Sequence, residues 1–170
     1  MLHTTMDDRR FRDALGNFAS GITIVASIDN DEPVGFTCQS FISVSVSPPL
    51  VSFCVMNSST SWPRIRSIGR FSINILSAEQ VEVSKAFGRK SPDRWSSASW
   101  HLSPSGNPVL EDTLLCLDCS LNDEHIAGDH WLVIANVHSI LAESVIESGP
   151  LLFYRGAYRN LSAAQAKTKD

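Results

Sequence analysis

What most limits the fold open to this chain is its punctuation: short apolar runs of strand length, each closed by a turn. Ile22, Ile24, Ala26 and Ile28 alternate with Thr23, Val25 and Ser27, a period-two pattern that sends successive side chains to opposite faces of a strand. The cluster Asp29-Asn30-Asp31-Glu32-Pro33 then leads into Val34-Gly35-Phe36-Thr37, which predicts a hairpin. Pro48-Pro49 precedes an apolar run over 50–56 whose continuity predicts burial on both faces. Phe71, Ile73 and Ile75 form another alternating strand, and 114–121 and 131–140 two more, joined by a connection over 122–130. A last apolar segment over 151–154 precedes a polar tail.

Helices are inserted between these strands without regular alternation. Asp7 or Asp8 can cap a first helix whose Phe11, Leu15 and Phe18 make one apolar stripe, broken at Gly21. Ser61 or Thr60 can cap a second, with Pro63 in its first turn, Trp62, Ile65 and Ile68 along one side and Gly69 closing it. Ser77 and Gln80 have the spacing of a capping box opening a third, over 81–87. The stretch 88–108, rich in Ser, Pro and Gly, reads as a long surface loop of the kind that serves as a lid or binding segment. This order excludes a doubly wound parallel sheet and predicts a closed or nearly closed antiparallel barrel, mainly β with inserted helices.

With 170 residues, 43% hydrophobic and 19% charged, the chain is expected to be a single globular domain over 1–170, its core at about 11–158. A net charge of -4 with no basic run beyond Arg89, Lys90 and Arg94 argues against nucleic acid as a partner. No apolar stretch approaches bilayer length and the first ten residues lack a signal-peptide run, so a cytoplasmic location with no membrane partner is expected. Cys116 and Cys119 have a metal-like spacing, but in a strand positions three apart face opposite sides, so no metal site is expected. Cys38 and Cys54 are read likewise as packing residues. Neither a glycine-rich dinucleotide fingerprint nor a Walker loop is present; any nucleotide is held another way.

Two segments can do that. Gly35 to Pro49 carries Thr37, Gln39, Ser40 and Ser45 among apolar residues, a supply of hydroxyls and amides suited to a heteroaromatic edge, with Gly35 allowing close backbone approach. The same pattern also fits an edge strand with polar outer positions. Ser58, Ser59, Thr60 and Ser61 lie between a strand and a helix and suit a phosphate, or equally a simple cap.

The order Gly-Phe-Thr-Cys-Gln-Ser-Phe with Ser-Val-Ser and Pro-Pro, then 58–62, Phe87-Gly88, Gly128-Asp129-His130 and Leu152-Phe153-Tyr154-Arg155-Gly156 resembles the flavin reductase-like family. That resemblance spans nearly the whole chain. It implies a flavin-binding split β-barrel that reduces FMN or FAD with NADH or NADPH and supplies reduced flavin to a flavin-dependent monooxygenase, working as a homodimer. By the family pattern, Gly35, Thr37, Cys38 through its backbone, Gln39, Ser40 and Ser45 would line the flavin ring and ribityl chain. Ser58, Ser59, Thr60 and Ser61 would take the phosphate, and Phe87, Gly88 and Arg89, with Lys90, would close over the flavin. His130 is the implied catalytic residue beside the nicotinamide, with Tyr154 and Arg155 bordering the cleft; from the residues alone these three read equally as packed or solvent-facing. Rival readings are a split-barrel oxidase that retains its flavin and a non-catalytic flavin- or haem-binding module.

Overall fold

The computed structural model describes residues 7–89, 92–143 and 148–161. The predicted hairpin is present: β2 (Thr23–Asp29) and β3 (Glu32–Cys38) are joined by Asn30 and Asp31, both at positive φ, the two-residue turn whose twist matches that of its strands. With β4 (Ile42–Val46), β5 (Pro49–Met56), β6 (Arg70–Ile75), β9 (Leu115–Ala127) and β10 (His130–Glu143) they build an antiparallel sheet in the order β3-β2-β6-β9-β10-β5-β4. Register shifts at three points along the β9–β10 pair add the local twist that a coiled sheet needs.

The two ends of the sheet meet without a ladder. Ser40, just past β3, donates from its hydroxyl to the Cys54 carbonyl at 3.2 Å and accepts the Cys54 N–H at 2.7 Å. Ser40 stands opposite Cys54, two residues before the Ile42–Ser52 pair, so its side chain continues the β4–β5 pairing where the chain crosses from one end strand of the sheet to the other.

Inside it, Phe53 packs edge-on against Trp62 and Phe71, with centroids 5.5 and 5.8 Å apart. Each such pair contributes about 0.5–1.5 kcal/mol beyond area burial. Trp62 and Ile65 come from α2 (Trp62–Ile68), which plugs the barrel with Pro63 in its first turn and ends at Gly69, φ +76. Around the outside lies a second apolar layer: Ile24, Leu76, Leu110 and Leu151 are buried with Phe87 of α3 (Val81–Phe87). A small sheet of β1 (Ser20–Gly21), β11 (Leu152–Tyr154) and β12 (Ala157–Arg159) completes that side.

Four local expectations change. The stretch 88–108 is not an open loop: where described, it contains a 3₁₀ turn (Pro92–Ser97) and the hairpin of β7 (Trp100–Leu102) and β8 (Pro108–Leu110). Trp95 packs there between Phe87 and Trp100, and buried Asn74 fastens β8 by accepting the Leu110 N–H at 2.9 Å. Residues 122–130 are strand rather than connection, and the turn shrinks to Gly128 and Asp129. The first helix, α1 (Asp8–Leu15), starts as expected with Asp7 accepting the Arg9 N–H, but it buries no residue and stops at Gly16. Only half of the capping box forms: Gln80 Oε1 accepts the Ser77 N–H at 3.0 Å, whereas the Ser77 hydroxyl has no partner among the described residues.

The cysteines behave as read. All four are free, and burial pushes the Cys116 thiol up to about 12, with Cys119 raised as well. Among the described residues no cluster of potential ligands could hold a metal, and no helix is long and apolar enough to cross a membrane. The C-terminal residues 162–170 and Lys90 lie outside the described residues.

Candidate active site

A cleft of about 960 Å³ opens where the sheet is split. Its walls are residues 36–42 at the end of β3, 54–56 at the end of β5, 58–61, the end of α3 with Gly88 and Arg89, His130 at the start of β10, and Leu15 with residues 18–21. Arg94 also reaches it. The barrel gathers here segments far apart in sequence because β5 and β10 are paired and end together, His130 in register with Met56.

Hydrogen bonding sorts the polar candidates. Thr37 Oγ1 donates to the Ser84 carbonyl at 2.7 Å, tying β3 to α3. Ser40 is committed to Cys54, as described above. Ser59 Oγ accepts the Trp62 N–H at 3.1 Å, and Ser61 Oγ donates to the Gly35 carbonyl at 3.2 Å. These four side chains build the wall: Thr37, Ser40 and Ser61 spend their hydroxyl hydrogens on backbone carbonyls, whereas Ser59 accepts and keeps its O–H to donate. The side chains of Gln39, Ser58, Thr60 and Arg89 line the cleft with no hydrogen-bond partner among the described residues. Ser20, which the sequence did not point to, has a buried hydroxyl that is likewise unpartnered among the described residues. A buried hydroxyl left this way is costly unless a ligand or water meets it.

Gly35 plays a different part from the one expected. It does not line the cleft; a Cβ there would lie 2.9 Å from the Val25 carbonyl oxygen and 3.2 and 3.3 Å from the Trp95 and Phe87 rings. The close approach it permits is of the protein to itself. Its carbonyl instead accepts from Ser61 and from Arg94 Nη1, at 3.2 and 3.0 Å, so it anchors two cleft residues. Cys38 reaches the cleft wall but is 4% exposed, and burial raises its thiol pKa, which keeps it protonated.

His130 follows a tight turn with φ +65 at Gly128. Asn57 clamps the turn to the end of β5, its N–H donating to the Asp129 carbonyl at 2.9 Å and its amide to the Gly128 carbonyl at 3.2 Å. The ring is fixed by His130 Nδ1 and Asp129 Oδ1 at 2.7 Å, which leaves Nε2 without a partner among the described residues. The same hydrogen bond, with the ring's charge, holds the Asp129 carboxyl below the usual carboxylate range.

Besides Gly35, three predicted residues lie off the cleft wall. Ser45 is further along β4, beyond the register shift, paired with Leu50, and is not on the wall. Tyr154 lies in the small sheet under the Arg155 guanidinium, 5.2 Å away, and lines neither cleft. Arg155 lines an adjoining cleft instead. Of the wall residues missed in the sequence, Phe18 was visible only as the end of an apolar stripe and Arg94 only as part of a basic cluster. Ser20 and the β5 end carried no signal.

Comparison with known proteins gives a consistent result. Residues 15–162 match the family model described as the flavin reductase like domain. The reductase subunit HsaB of a flavin-dependent monooxygenase from Rhodococcus jostii is 44% identical over 92% of this chain and 79% of its own length. Among solved structures, nitrilotriacetate monooxygenase component B from Mycobacterium thermoresistibile superimposes with a TM-score of 0.91 at 40% identity, covering 96% of this chain and 92% of that one. An NADH:FAD oxidoreductase from Streptomyces globisporus, in complex with NAD and FAD fragments, gives 0.88 at 28% identity, covering 97% and 99%.

Proposed function

Because this chain belongs to the flavin reductase-like family, we propose that its split-barrel cleft binds FMN or FAD and a reduced nicotinamide nucleotide together. The protein is an NAD(P)H-dependent flavin reductase, the reductase component of a two-component monooxygenase system. The observation that carries the reading is the cleft itself, which is roomy, largely apolar along Phe36, Phe41 and Phe87, and supplied with donors that have no partner among the described residues, at Gln39, Ser58, Thr60, Arg89 and the buried Ser20. That donor set fits a flavin: ring edges need hydrogen bonds, and the phosphate needs hydroxyls and a cation.

When both nucleotides are bound, hydride passes between their own rings. The chain's residues bind and orient. Gln39 is placed to hydrogen-bond the ring edge, Ser58 and Thr60 with Arg89 to hold the phosphate, and Phe87 and Gly88 to cover the ring. His130, aimed by Asp129, presents Nε2 to the nicotinamide side and orients its carboxamide. Loose retention is supported by a cleft that stays open to solvent on one side and by the lack of any covalent attachment motif, so reduced flavin leaves for a monooxygenase partner.

Further parts of this reading are supported more indirectly. A homodimer fits the unburied apolar face on which Phe11 joins the cleft residues Leu15 and Phe18, 49, 57 and 78% exposed. A single domain would then carry both nucleotide sites, and the four free cysteines suit a reducing cytoplasm. The test is NADH and NADPH oxidation with FMN, FAD or no added flavin. Turnover that rises with free flavin supports the reductase; turnover that ignores it supports an oxidase with retained flavin; tight flavin binding without turnover supports a binding module.

A further inference from the structure

A second cleft of about 740 Å³ adjoins the first, the two sharing Leu15, Phe18 and Gln39 as a common wall. Its character differs. Arg12, on α1, and Arg155, in the β11–β12 turn, both line it, with Asp13 the only acid on its wall among the described residues. Arg155 is exposed but held in place. Its backbone stands at φ +49, the left-handed region that a side-chain-bearing residue enters at a cost, and its N–H donates to the Gly16 carbonyl at 2.9 Å. Its Nε and Nη2 both donate to Asn17 Oδ1, at 2.8 and 2.6 Å, and its guanidinium carbon is 5.2 Å from the centroid of the Tyr154 ring. Nη1 is left without a partner among the described residues. Arg12 lies close enough to the His130 end of the first cleft for its charge to lower the Asp129 carboxyl further.

We infer that this second cleft receives the adenosine diphosphate portion of a dinucleotide substrate, its diphosphate held by Arg12 and Arg155. The inference rests on the flavin reductase reading and extends it. A reaction between two nucleotides has to house two ligands at once, and about 960 Å³ is already at the upper end of what a single small-molecule site occupies. The charged remainder needs room and cations, and the contiguous cleft supplies both. A guanidinium held by Asn17 and set over an aromatic ring loses little freedom on meeting a phosphate, and its planar fork suits that oxyanion. The diphosphate could be contributed by the nicotinamide dinucleotide or by FAD, and the two sources are separable.

The experiment uses the full chain, freed of flavin, and calorimetric titration with ADP-ribose, with adenosine as the uncharged control. Wild type is expected to bind ADP-ribose well ahead of adenosine. Arg12→Ala and Arg155→Gly should each weaken ADP-ribose by about tenfold, as loss of a charged hydrogen-bonding partner does. Glycine is chosen at 155 because it accepts the positive φ, and Arg12 lies on an exposed helix, so neither variant threatens the fold. Steady-state rates with FMN or FAD as acceptor, and NADH or the phosphate-free 1-methyl-1,4-dihydronicotinamide as donor, then assign the source. A loss seen with NADH whichever flavin is used assigns the cleft to the nicotinamide dinucleotide; a loss seen only with FAD, whichever donor is used, assigns it to the flavin. Equal losses in all four combinations, or ADP-ribose binding that ignores both substitutions, overturn the inference. A wild type that binds ADP-ribose but gives no flavin-dependent NADH oxidation would sink the reductase reading and leave the site standing.

Discussion

Gly35→Ala separates two uses of a glycine in the cleft wall. Gly35 is not at positive φ, so a methyl group meets a purely spatial obstacle. The nearest atom is the Val25 carbonyl oxygen at 2.9 Å, and it cannot retreat, because Val25 is paired with Phe36 on one side and Ile73 on the other. The next two, on Trp95 and Phe87, belong to rings locked edge-to-face at 4.8 Å, with Phe87 only 1% exposed. Forcing a methyl into such an unyielding site costs about 3 kcal/mol, the upper end of the usual overpacking range, while alanine in place of glycine in a strand returns about 0.5–1 kcal/mol. The net loss is about 2 kcal/mol, or a fall in Tm of roughly 4–8 °C for a chain of this length. Urea denaturation should show a lower midpoint at unchanged slope, and flavin titration of the folded variant should still saturate. A variant as stable as wild type that no longer binds flavin would refute the assignment and restore the ligand to Gly35.

The other expected outcomes are these. His130→Ala should raise KM for NADH about tenfold or more while leaving flavin affinity within about twofold, the loss matching one good polar contact; collapse of flavin binding would contradict the placement of His130 on the nicotinamide side. Glu124→Ala should cost about 1–3 kcal/mol in denaturation, because Glu124, 11% exposed, accepts from buried Trp62 Nε1 at 3.3 Å and pairs with Arg66; an unchanged midpoint would show that water replaces it freely. Asp129 has a lowered folded pKa, so its contribution is in place above the ordinary carboxylate pKa of about 3.9 and is lost as pH falls through the lowered value. A carboxylate NMR titration should accordingly find Asp129 below the other exposed aspartates, and an ordinary midpoint would deny the His130 contact. At about pH 8 a thiol reagent should leave buried Cys116 and Cys119 unmodified in the folded protein and label half-buried Cys54 first; early labelling of Cys116, read by mass spectrometry, would contradict its burial.

Some of this was legible in the residues and some could not be. The Asn30-Asp31 turn, the Gly69 stop and the paired faces of β9 follow local rules, and they appear where the sequence places them. The outer half of the β9–β10 hairpin was invisible because residues 122–127 are mostly exposed in the protomer, and a strand with no buried face has no apolar period to show. The 88–108 stretch read as a loop because its structure depends on Trp95 meeting both Phe87 and Trp100, contacts no local pattern encodes. At the site, the sequence found the segments but could not say which hydroxyls remain available. Thr37, Ser40, Ser59 and Ser61 turn to the protein's own backbone, whereas Gln39, Ser58 and Thr60 have no such bond among the described residues, and only the closed barrel decides that.

The central claim is that the cleft reduces a flavin it does not keep. It is tested most directly by following NADH consumption by the purified protein as free FMN or FAD is titrated in, with reduced flavin trapped by a separate acceptor protein behind a dialysis membrane. The account predicts a rate that rises from near zero and saturates with free flavin, and an acceptor that becomes reduced across the membrane. A rate independent of added flavin, or an acceptor that stays oxidised while NADH is consumed, would contradict it.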